Sequence, residues 1–60
     1  MSSFSEFYSD DKTKKAVVTG AGHNYVIYKY VNGNMIGADP YPNKSLQAVE
    51  DIAEDWVNGN

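Results

Sequence analysis

The sequence predicts an α+β fold, a three-stranded antiparallel meander packed against one C-terminal amphipathic helix in the order β-β-β-α. Three observations carry it. Residues 25–31 (Tyr-Val-Ile-Tyr-Lys-Tyr-Val) are dense in aromatic and β-branched side chains, which suit a pleated surface. Asn32-Gly33 follows at once, and a type I′ hairpin turn needs positive φ at both central residues. Leu46, Val49, Ile52, Ala53, Trp56 and Val57 then recur at the spacing of one helical face.

Residues 1–14 are rich in Ser, Asp and Lys without a clean period, and read as an N-terminal tail. Phe4, Phe7 and Tyr8 are spaced i, i+3 and i+4, so a short docked helical turn is the alternative. Residues 15–60 form the single domain, which begins with a strand at Lys15–Thr19. Residues 20–24 (Gly-Ala-Gly-His-Asn) are a turn by composition. After the Asn32-Gly33 turn, Met35–Ala38 is a short third strand. Pro40 and Pro42 lack the N–H that a ladder requires, so residues 39–43 are expected to leave the sheet. Ser45 or Asn43 serves as the helix N-cap, and Gly59 stands where a C′ residue is needed. Leu46, Val49, Ile52 and Trp56 are assigned to the core.

Sixty residues allow one domain with a small core, and no cysteine is present to staple it. Self-association into a homodimer is one way for such a chain to bury more surface. The first eleven residues show neither a basic region nor an apolar run of signal-peptide kind, and no apolar stretch approaches the about 20 residues of a membrane span. A soluble cytoplasmic protein is the expectation.

Net charge is −3, unevenly placed. Lys12, Lys14, Lys15, Lys29 and Lys44 outweigh Glu6, Asp10, Asp11 and Asp39 before residue 46, whereas Glu50, Asp51, Glu54 and Asp55 follow it without a cation. Carboxylates near a helix C-terminus oppose its dipole, and the Glu50/Glu54 and Asp51/Asp55 pairs repel at i, i+4. Such placements often mark functional surface. These four residues are therefore candidates for contact with a basic partner, with simple solubility as the competing explanation.

The tyrosine strand supplies the second candidate surface. Tyr25, Ile27, Lys29 and Val31 share one side; Val26, Tyr28 and Tyr30 share the other. One helix covers one face, so some of Tyr25, Tyr28, Lys29 and Tyr30 remain for a partner. Aromatics beside a lysine on a sheet also suit single-stranded nucleic acid. An acidic chain with few lysines lacks the basic groove that phosphates want, so nucleic acid is disfavoured.

Residues 17–22 (Val-Val-Thr-Gly-Ala-Gly) resemble the first strand and glycine turn of a Rossmann dehydrogenase. The third glycine of that pattern falls on Tyr25, and a strand follows where a helix is required. No cofactor is expected. His23 is the lone histidine, with no second His or Cys to complete a metal site. No strained nucleophile turn is present, and carboxylate pairs on an outer helix face lack the dry cleft that acid–base catalysis requires. The expected function is a small acidic noncatalytic protein-binding module, a regulator or inhibitor of a larger protein. A single-stranded nucleic-acid binder and a self-assembling structural protein are the alternatives. In genre the chain resembles the short, acidic, cysteine-free accessory proteins that bacteriophages make early in infection. That resemblance implies binding to a host protein and assigns no residue.

Overall fold

The computed structural model describes residues 3–21 and 24–59. They form β1 (Ser3–Tyr8), β2 (Lys14–Ala21), β3 (Asn24–Val31), β4 (Asn34–Tyr41) and α1 (Leu46–Val57). The strands make one antiparallel sheet in the order β1-β2-β3-β4. The class is α+β as expected, with four strands instead of three.

The additional strand comes from residues expected to be a tail or a docked helical turn. β1 pairs with β2 from Ser3 opposite Thr19 to Tyr8 opposite Lys15, with a shift of register between Ser3 and Ser5. Its place is set by β2, which would otherwise present an open row of backbone donors and acceptors. The link between them turns tightly. The Ser9 N–H donates to the Lys14 carbonyl, the Lys12 N–H donates to the Ser9 carbonyl, and Lys12 takes φ 61°.

Asn32 and Gly33 adopt φ values of 54° and 84°, so the β3–β4 hairpin closes through the type I′ geometry its sequence requires. Beyond the turn, β4 does not stop at Ala38. It runs through Pro40, opposite Val26, to Tyr41, opposite Tyr25. The expectation that residues 39–41 leave the sheet is corrected by strand order. β4 is an edge, where a proline whose missing N–H faces outward costs the ladder nothing. Ile36 has no opposite residue, because pairing steps from Lys29–Gly37 to Tyr30–Met35 at a bulge. Of the residues expected as the β2–β3 turn, Gly20, Ala21 and Asn24 belong to the strands, with Ala21 opposite Asn24; residues 22 and 23 remain. Those two, including His23, lie outside the described residues.

α1 starts where Ser45 takes extended angles and its Oγ accepts from the Ala48 N–H at 3.3 Å. It ends as Asn58 and Gly59 donate to the Glu54 and Trp56 carbonyls, with Gly59 at φ 83°. The helix lies over β2 and is flanked by β1 and β3. Ala16, Val18, Ile27, Val49, Ala53 and Val57 form the core, and the small Ala16 and Ala53 let helix and sheet approach. Of the helix residues assigned to the core, Val49 is fully buried. Leu46, Ile52 and Trp56 are half-buried at its margin, beside Phe7, Tyr25 and Tyr41. No helix among the described residues is long and apolar enough to cross a membrane.

Candidate functional site

The buried Ala16, Val18 and Ile27 identify the covered side of the sheet, and strand alternation assigns every neighbour from them. Tyr25 and Lys29 share this side, with Tyr25 packed on the core margin. The Lys29 ammonium lies 2.6 Å from the Asp39 carboxylate and 5.5 Å from the centre of the Trp56 ring. Lys14 approaches the same ring at 5.8 Å. Two cations from the sheet thus stand beside the last turn of a helix that has no basic residue of its own there.

Tyr28 and Tyr30 point the other way, onto the face that the helix leaves uncovered. Pairing registers order that face in rows. Tyr8, Lys15, Tyr30 and Met35 form one; Glu6, Val17, Tyr28 and Ala38 the next; Thr19, Val26 and Pro40 the third. Lys15 sits 4.7 Å above the Tyr30 ring, and the Tyr8 hydroxyl donates to the Glu6 carboxylate at 3.0 Å. The Glu6 carboxylate, as acceptor and as nearby charge, raises the Tyr8 pKa. Tyr8 and Met35 are more than half exposed at 51% and 58%, whereas Val17, Val26, Tyr28 and Tyr30 shelter one another as half-buried neighbours. The result is a tyrosine and aliphatic surface that carries, among the described residues, one acid and one base.

The four helix carboxylates do not act alike. Ser5 Oγ on β1 donates a hydrogen bond to Glu50, which is half-buried and ties the helix to the edge strand. Asp51, Glu54 and Asp55 are exposed on the outer side of the helix. They face away from the uncovered sheet, so the two candidate surfaces occupy opposite sides of the molecule, whose backbone spans 15 Å along its shortest axis. One flat partner cannot touch both.

A third feature lies at the end of the sheet. Asp11 Oδ1 accepts from the Thr13 N–H at 3.1 Å and from the Ser9 and Thr13 hydroxyls at 2.8 Å. These donors, the Thr13 N–H foremost, lower its pKa to about 2. The loop borders a shallow groove of about 270 Å³ shared with Lys14, Val57 and Asn58. Asp11 is occupied in holding the turn closed, which gives it a structural task. No group of three or more His, Cys, Asp or Glu converges among the described residues as a metal site would need.

No protein-family model, curated protein or solved structure matches the chain. Its surfaces are therefore the guide to its function. Sequence reasoning names Tyr28 and Tyr30 as candidates but not Glu6, Tyr8, Lys15, Val17 and Met35, which share the uncovered face with them. Val26 was grouped with the two tyrosines by alternation, and the I′ turn could have placed Met35 opposite Tyr30. The rest depended on β1, whose adjacent Phe7 and Tyr8 blur the period of a strand.

Proposed function

We propose that this chain is a noncatalytic protein-binding module whose principal contact surface is the uncovered face of its sheet. The observation that carries this reading is the row arrangement of Tyr8, Tyr30 and Met35 beside Val17, Tyr28 and Val26 on a face without a covering helix. Tyrosine offers large, stiff contact area with a polar tip, and is enriched where binding energy concentrates. The exposed Asp51, Glu54 and Asp55 supply a second surface on the opposite side, suited to a basic partner and to steering its approach. Acting this way, the chain would regulate or inhibit a larger protein by occupying its surface.

Nucleic acid is less well served by this geometry. Lys15 is on the tyrosine face, but Lys14 and Lys29 are on the helix side, and Lys15 is offset by Glu6. A phosphate backbone laid across the tyrosines would meet no basic track.

Affinity capture with the tagged chain, after nuclease treatment, tests the reading. Tyr28→Ser/Tyr30→Ser should lose the captured protein while circular dichroism shows the fold retained. Reversal of Asp51, Glu54 and Asp55 to Lys separates the helix surface from the sheet surface. A complex that survives the tyrosine substitutions but not the helix reversal overturns the sheet face as the surface that holds a foreign protein. Capture seen only when nuclease is omitted would instead indicate nucleic acid.

A further inference from the structure

The uncovered sheet face is electrically distinct from the rest of the molecule. Among the described residues, Glu6 and Lys15 are its formal charges, so the face is neutral on a chain of net charge −3. The negative excess lies elsewhere, chiefly on the helix. A second copy approaching the helix side meets like charge, whereas one approaching this face meets none. A basic foreign protein would be drawn to the helix instead.

We propose that the occupant of the uncovered face is a second copy of this chain, stacked sheet on sheet about a two-fold axis, with Glu6 of each copy facing Lys15 of the other. The inference rests on the reading of this face as a protein-contact surface, and names the partner. Glu6 and Lys15 lie on adjacent strands, one row apart, since Glu6 pairs with Val17 and Tyr8 with Lys15. In a two-fold contact, residue i meets residue j and j meets i. An axis passing midway between Glu6 and Lys15 therefore forms two ion pairs at once. Val17 and Tyr28, which lie along that axis, then meet their counterparts between sheets about 10 Å apart.

The size of the face suits this occupant. One strand of six residues and three of eight cover roughly 500 Å² in plan at ordinary strand spacing. The relief of the tyrosine, valine and methionine side chains raises the accessible area toward the roughly 600 Å² per partner at which stable interfaces begin. Pairing would also give a 60-residue chain, with six buried apolar side chains among the described residues, a second apolar layer. Both helices remain outside, so Asp51, Glu54 and Asp55 of each copy stay free for a basic partner.

Sedimentation velocity of the full chain from micromolar to millimolar concentration tests the inference. The expected result is a reversible species of twice the 6.7 kDa chain mass. Glu6→Lys and Lys15→Glu should each raise the dissociation constant about tenfold, by setting two like-charge pairs across the interface. The double exchange Glu6→Lys/Lys15→Glu should restore the dimer, and circular dichroism confirms that each variant folds. A monomer at every concentration overturns the second-copy inference and leaves the protein-contact reading to the capture experiment. A dimer indifferent to both single exchanges overturns the geometry. A dimer broken by substitutions at Asp51 and Asp55, but not by Val17→Lys, would remove the sheet face from both proposals.

Discussion

Two isoleucines in neighbouring strands give a direct test of the packing. Ile27 is fully buried between sheet and helix, whereas Ile36 is 59% exposed at the β4 bulge. Ile27→Ala removes three buried carbons, worth about 2.4 kcal/mol of transfer energy at roughly 0.8 kcal/mol each. The cavity left behind brings the loss to about 3–4 kcal/mol. A 60-residue domain has about 3–9 kcal/mol in all, at roughly 0.05–0.15 kcal/mol per residue. Ile27→Ala should therefore remove about a third or more of the total, enough to unfold the chain at the lower end of that range, and Ile27→Val, at about 1 kcal/mol, is the folded variant of the pair. Ile36→Ala should stay within about 0.5 kcal/mol of the parent. Urea unfolding at one fixed protein concentration, followed by Trp56 fluorescence and circular dichroism, reads all three. With a slope of about 1 kcal/mol per molar urea, the expected midpoint shifts are about 1 M for Ile27→Val and under about 0.5 M for Ile36→Ala. Equal shifts at the two positions, or a larger one at Ile36, would refute the assignment of the covered face.

Gly33→Ala should cost about 1–2 kcal/mol, since φ 84° strains any L side chain, while Gly37→Ala, in open space at ordinary angles, should be neutral or slightly stabilising; thermal melts compare them. The Asp11 carboxylate, with a folded pKa of about 2 against 3.8 unperturbed, binds fewer protons folded than unfolded. Its contribution is complete above pH 4 and is lost as pH falls through about 2, so Asp11→Ala should flatten the stability–pH curve in that window in acid titrations of Tm. Trp56→Ala should cost less than the about 3–5 kcal/mol of a fully buried tryptophan, because its ring is half-buried under Lys14 and Lys29. Lys14→Met/Lys29→Met should shift Trp56 emission without unfolding the chain.

Elements written in local chemistry were legible without the structure. The Asn32-Gly33 turn, the β-branched and aromatic run of β3, the stripe from Leu46 to Val57, the Ser45 cap and Gly59 each follow from bonds and periods within a few residues. The division of β3 into Tyr25/Lys29 and Tyr28/Tyr30 sets was equally local, since alternation needs only a strand. The errors occurred where the outcome depends on a distant neighbour. Ser3–Tyr8 becomes a strand because β2 has an edge to fill. Pro40 stays in the sheet because β4 happens to lie outermost.

The sequence by itself thus determined the class, the main hairpin, the helix and the pairing of residues into faces, because each of these is a short-range property of backbone and side chain. Tertiary structure alone decided which face the helix covers, and so which tyrosines meet water. It brought Lys14 and Lys29 beside Trp56, gave Glu50 to Ser5, and set Glu6 and Lys15 on one neutral surface. Those outcomes depend on which residues far apart along the chain come together, and burial is a property of that whole arrangement.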